Sequence, residues 1–256
     1  MLLLDELMAF LNDFMGDAGD KDPHMPNGLQ VRGRPRLRKL ATGVSASLRL
    51  FEMAVERGAD ALLVHHGLSM PSGMLFDTIF TRRVRYLFAH DLSLIGYHFL
   101  LDSHPQVGHN VQILRRLGAE PVEPYGLPGE PAWGWLGEFA PPVSMAEICT
   151  NCERLFGQEG VQYLFGPQEV RRVVALSGKG APYPGDMELL VQRGVDLFIT
   201  GETSEWVREL FREVGINFIA GGHYNTEKVG ILALGEVIAA QFPMLSVEFV
   251  DLPNPV

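Results

Sequence analysis

At 256 residues, 46% hydrophobic and 20% charged, the chain has the composition of a folded protein with ample core material, not of a disordered or fibrous one. Twenty-one Lys and Arg against 31 Asp and Glu give a formal charge of −10, which argues against a large nucleic-acid footprint. The one basic run, "VRGRPRLRK" at 31–39, reads as a solvated loop.

The N-terminal "MLLLDELMAFLNDFMG" places Leu3, Leu4, Leu7, Met8, Phe10, Leu11 and Phe14 on one side of a helix. It carries acids where a signal peptide carries lysine or arginine. No apolar run approaches the ~20 residues of a membrane span, so a cytoplasmic protein is the expectation. "KLATGVSAS" (39–47) reads as a strand entering a small-residue loop. "AVERGADALLVHHG" (54–67) is a helix end, an Arg-Gly stop and a strand. "RRVRYLFAHDLSLIGYHFLLD" (82–102) is a helix and then a strand. "PVEPYGLPGEPAWGWLGEF" (121–139), with four prolines and four glycines, reads as a domain junction. Cys149 and Cys152 fall on a short helix opened by Ser144, with Glu147 completing a capping box. With no second cysteine pair, they read as two thiols of a helix, not half of a zinc site.

"RRVVALSGKG" (171–180), "LVQRGVDLFITGE" (190–202) and "REVGINFIAGGHYNTE" (212–227) then repeat the series of the first half. "GILALGEVIAAQFPMLSVEFV" (230–250) adds a helix and a last strand. The expected fold is α/β: two related domains from an internal duplication, with mostly parallel sheets flanked by helices. The first domain spans 1–125, completed by 228–256, and the second 126–227.

In a parallel sheet, ligands bind beyond the carboxyl ends of the strands, and there the histidines fall. His65 and His66 end "ADALLVHH", with Gly67 permitting the turn that brings neighbouring residues to one site. "YHFLLD" supplies His98 and Asp102, and "GHYNTE" supplies His223 and Glu227, each pair four residues apart. Imidazole with carboxylate is the ligand set of zinc, manganese, iron, nickel or cobalt. The set exceeds what one tetrahedral ion requires, whereas two ions ~3.5–4 Å apart would use it.

Together with "PNGLQV" (26–31), "LLVHHGL" (62–68), "YHFLLDSHPQVGHN" (97–110), "TGETSEW" (200–206) and "GHYNTEKVG" (222–230), these residues resemble the signature blocks of the Nif-three-like family, the GTP cyclohydrolase I type 2 homologues. The resemblance implies two related α/β domains with a dinuclear metal site at strand carboxyl ends between them, and a toroidal homohexamer around an internal cavity. It implies two divalent metal ions per chain, held by His65, His66, Asp102, His223 and Glu227. His98 falls on the family's neighbouring histidine and is expected in the pocket, either supporting a ligand from behind or carrying a proton, where "HFLLD" is more apolar than in many members. Glu202, aligned with His66 in the repeat, is expected to orient a ligand histidine or meet substrate.

The function expected is metal-dependent hydrolysis of a small molecule, either a nucleotide-like ring or a phosphate ester. The alternative is a non-catalytic metal-binding oligomer acting as adaptor, sensor or store. Single-stranded nucleic acid in a ring's cavity is a third reading, disfavoured by the net acidity. Lys179 in "SGKG" lacks P-loop spacing. Serine-hydrolase, dinucleotide-binding and H-E-x-x-H motifs are also missing.

Overall fold

Leu4, Leu7, Met8, Leu11 and Met15 recur at helical spacing and form the buried side of α1 (Leu4–Met15). The computed structural model describes residues 1–16, 22, 25–69, 76–127, 129 and 131–256. The chain divides into two units, Met1–Leu101 with Ile231–Leu252, and Asp102–Gly230 with Pro253–Val256.

The first unit runs β1 (Leu2–Leu3), α1, β2 (Gly28–Val31), β3 (Arg36–Leu37), β4 (Lys39–Ser45), α2 (Leu48–Glu56), β5 (Ala61–His66), α3 (Thr78–Ala89) and β6 (Ser93–Gly96). A short helix, α4 (Phe99–Ser103), carries the chain into the second unit. That unit holds α5 (His109–Leu117), β7 (Glu120–Tyr125), β8 (Gly134–Ser144), α6 (Met145–Phe156), β9 (Val161–Leu164), β10 (Glu169–Leu176), α7 (Met187–Gln192), β11 (Leu197–Thr200), α8 (Val207–Val214) and β12 (Asn217–Ala220). Helix α9 (His223–Gln241) begins in the second unit, and its remainder leads to β13 (Ser246–Phe249) of the first.

The first sheet has the order β13-β4-β5-β6-β2, parallel except for β2. Ala61–Val64 is apolar throughout because both faces of this strand are covered, which leaves no polar side to alternate with. Leu50, Phe51 and Ala54 of α2 and Leu87 of α3 pack on Ala41, Leu62, Val64 and Leu94. The helices are stopped from fraying by side-chain caps, Ser47 Oγ accepting from Leu50 N (3.2 Å) and Asp77 Oδ1 from Phe80 N (2.7 Å).

The second sheet has the order β7-β8-β10-β11-β12-β9, with β10, β11 and β12 parallel. Leu114, Ile148 and Phe156 of α5 and α6 cover one face, and Leu190, Val207 and Phe211 of α7 and α8 the other. Residues 121–139, expected to be a junction, instead contribute β7 and much of β8 to this sheet. Pro128 and Glu130 of that stretch lie outside the described residues. The prolines misled because β7 is an edge strand, where a residue without an N–H interrupts no central ladder.

The cysteines sit on α6 as expected, capped by Ser144 Oγ accepting from Glu147 N. Both are free thiols, and burial pushes their pKa values up. Among the described residues no helix is long and apolar enough to cross a membrane.

Candidate metal centre

In the first unit, β5 ends in His65 and His66, and His98 lies two residues beyond β6. The possible ligand atoms of all three lie within 4.8 Å of one another. Regular alternation would send His65 and His66 to opposite faces, yet their ring centroids are 4.5 Å apart. The strand ends at His66, and Gly67 admits a close neighbour, since a Cβ there would lie 2.4 Å from the Gln30 amide. Gln30 Oε1 in turn accepts from Leu68 N at 2.7 Å. The glycine serves close approach; it does not take a left-handed turn.

Each imidazole is held through Nδ1. His65, 1% exposed, places Nδ1 2.9 Å from the Tyr97 carbonyl. A carbonyl only accepts, so Nδ1 carries the hydrogen and Nε2 the lone pair a metal needs. His66 Nδ1 meets Ser45 Oγ at 2.9 Å. His98 Nδ1 lies 3.0 Å from Asp22 Oδ2, which also accepts from Phe99 N. Burial alone would raise the Asp22 pKa, but the His98 contact and the Phe99 and Asn27 hydrogen bonds hold it well below the usual carboxylate range. Asn27 Oδ1 accepts from His98 N at 2.8 Å, so "PNGLQV" supports this group through both Asn27 and Gln30.

In the second unit the loops after β10, β11 and β12 close on one another. Gly201 N and Glu202 N both donate to the Gly178 carbonyl at 3.0 Å, and Gly222 N donates to Gly201 O at 2.9 Å. His223 opens α9, and Glu227 follows one helical turn later, so their spacing is that of a helix, not of a strand end. His223 Nε2 is 3.0 Å from Glu227 Oε1, and its Nδ1 is 2.5 Å from Glu202 Oε1. Burial by itself would lower the His223 pKa, but Glu227 and then Glu202 outweigh it and push it up to about 9. A metal at Nε2 would take the place of that proton.

Gly178, with φ +61°, completes this grouping. A Cβ there would lie 2.3 Å from Glu227 Oε1 and 3.1 Å from His223 Nε2, so any other residue would be strained and would displace the Glu227 carboxylate. Asp102, in the same unit, is 6% exposed and accepts from Ser177 Oγ at 2.8 Å. Asn110 ties the neighbourhood together, its amide donating to Asp102 O and its Oδ1 accepting from Ser177 N at 2.7 Å. A ligand atom of His109 comes within 4.8 Å of one on Asp102. His109 Nδ1 accepts from Gly230 N at 3.2 Å, which leaves its Nε2 carrying the hydrogen.

Of the residues singled out in the sequence, His65, His66 and His98 thus gather in the first unit, and Glu202, His223 and Glu227 in the second, with Asp102 fixed by Ser177. Asp22 and Ser177 escaped notice, because each reaches its partner across a long stretch of chain, and His109 and Asn110 were seen only as part of the block 97–110, with no role given to either. Imidazole nitrogens with carboxylate oxygens, around a backbone that leaves no room for a methyl group, suit a divalent transition metal.

The sequence model of the family described as Duf34/NIF3 (NGG1p interacting factor 3) matches residues 2–255. A GTP cyclohydrolase 1 type 2 homolog of Pseudomonas aeruginosa is 39% identical over 241 residues, covering 93% of each chain. Its namesake from Yersinia pestis is 38% identical over 258 residues, covering 98% of each. Among solved structures, TTHA1606 from Thermus thermophilus superposes with a TM-score of 0.87 at 30% identity, covering 100% of both chains.

Proposed function

Because the chain belongs to the Duf34/NIF3 family, we propose that it binds two divalent metal ions through His65, His66, Asp102, His223 and Glu227 and hydrolyses a nucleotide-like or phosphorylated small molecule. The observation that carries this reading is His223, held between Glu202 and Glu227 against a glycine whose Cβ would strike the carboxylate. The metals would supply a water that ionises near neutral pH. Glu202 fixes the His223 ring through Nδ1 and directs Nε2 to the side where Glu227 lies. In this reading His98, anchored by Asp22 at Nδ1, holds or passes a proton at Nε2. The name shared by the two relatives makes a purine nucleotide the first substrate to try.

The same reading carries an internal duplication, assembly as a toroidal homohexamer, and a cytoplasmic site of action. The duplication is supported by one local device used in both units. Asp60 Oδ2 accepts from the N–H groups of Arg38 and Lys39, and Asp196 Oδ2 accepts from those of Arg171 and Arg172.

The test is turnover of purine nucleotides and phosphate esters by protein loaded with zinc, manganese or iron, with and without a chelator. Chelator-sensitive hydrolysis that falls at least ~10-fold in His98→Gln, with metal content unchanged, is expected. Absence of turnover in every metal form would contradict the hydrolase reading.

A further inference from the structure

The loops that carry the second unit's carboxylates also carry two exposed aromatic rings. Tyr183 follows Gly178 on the loop after β10, and Trp206 follows Glu202 on the loop after β11. Their ring centroids are 6.0 Å apart with an interplanar angle of 18°, so the rings stack. They nevertheless remain 62% and 45% exposed. Neither sits on a free-swinging segment. Tyr183 N donates to Asp186 Oδ2 at 2.7 Å and Tyr183 O accepts from Asp186 N at 2.9 Å, closing the turn Pro184–Asp186. Trp206 is the N-cap of α8, and the residue after it, Val207, is fully buried.

The bonds of Gly201 N and Glu202 N to Gly178 O pin the two loops together at the carboxyl end of the sheet. Exposed Lys179 lies next to Gly178 on the same loop, with no ion-pair partner among the described residues. Carried on backbone held by turns and stacked on each other, the two rings still leave an outer π face open to solvent, on which a third ring stacks at little further cost in conformational entropy.

Resting on the hydrolase reading, we propose that Tyr183 and Trp206 form the platform on which the planar ring of the ligand stacks, with Lys179 meeting its anionic group. The pair then determines specificity: it selects a heteroaromatic ring bearing a phosphate over a phosphate without a ring. Stacking tolerates any planar base, because every base has a π face, so the platform selects a class of ring and not one purine. Tyr183 and Trp206 touch the ligand in this account and take no part in bond cleavage.

The experiment is calorimetric titration of the full-length, metal-loaded chain with guanosine 5′-monophosphate and with ribose 5-phosphate. The wild type is expected to bind the nucleotide at least ~10-fold more tightly than the sugar phosphate. The double variant Tyr183→Ala, Trp206→Ala is expected to lose about tenfold in nucleotide affinity, with metal content and sugar-phosphate affinity unchanged, and Trp206→Phe to keep most of it. Equal binding of the two probes by wild type, no nucleotide binding by wild type, or nucleotide binding unchanged in the double variant would each overturn the platform. Metal content, measured on every sample, separates this from failure of the metal site: a metal-free wild type would sink the functional reading alone.

Discussion

The two units, one with a five-stranded and the other with a six-stranded sheet, share a local backbone tie and carry different residues at the far ends of their strands. In each, three parallel strands form the middle of a sheet, and an equivalently placed aspartate at the start of the second strand ties down the first, Asp60 in one and Asp196 in the other. Asp60 O accepts from Ser93 N and Asp196 O from Asn217 N, which extends the same tie to the third strand. The difference comes at the opposite end. Where β5 finishes in His65 and His66, β11 runs into Gly201 and Glu202. One unit therefore offers mainly imidazoles, while the other gathers carboxylates around His223. Backbone ties hold the strands in place, whereas the residues at and beyond the strand ends are free to carry different chemistry.

The largest effects are expected at the two aspartates. Asp60 is 3% exposed, and Asp60→Ala would strand two backbone N–H groups, costing about 2–3 kcal/mol in urea denaturation. Asp196 is half-buried, and Asp196→Ala is expected to cost less, about 1–2 kcal/mol. An Asp196→Ala protein as stable as wild type would show that the shared device is not a shared support.

A smaller effect on stability, but a specific one, is expected at the glycines. Gly178→Ala combines positive φ with a Cβ 2.3 Å from Glu227 Oε1, so it should cost about 1–2 kcal/mol and weaken metal binding roughly tenfold or more. Gly67→Ala meets only the end of the flexible Gln30 side chain and should cost under about 1 kcal/mol. Equal metal affinity in the two variants would remove the distinction drawn between the cradle and the close approach.

Finer still is the contrast between the two carboxylates that hold histidines. Glu202→Gln should lower metal affinity by roughly 10–100-fold, as loss of an outer partner to a ligand does. Asp22→Asn, beside the proposed proton carrier His98, should leave metal content intact and slow turnover instead. If Asp22→Asn also empties the metal site, His98 is a ligand and not a carrier. The smallest effect belongs to Cys149→Ser on α6, expected to leave metal content unchanged and to shift stability by no more than about 0.5 kcal/mol.

Strands such as Ala61–His66 and Asn217–Ala220 were legible in the sequence, since each is a short apolar run bounded by Gly or turn residues. The histidines stood out because they terminate such runs. What composition obscured was β7, whose Pro121 and Pro124 mimic a linker yet fit an edge strand. The supporting residues were hidden for another reason. Asp22 reaches His98 from 76 positions away, and Ser177 reaches Asp102 from 75, so no local pattern announces either.

The proposal that His65, His66, Asp102, His223 and Glu227 hold metal is open to a direct test. The direct measurement is elemental analysis of purified wild type beside the double variant His223→Ala, Glu227→Ala, each incubated with zinc, manganese or iron and then desalted. About two ions per wild-type chain, lost in the variant, is the result expected. A wild type that retains none after any of the three incubations would contradict the account.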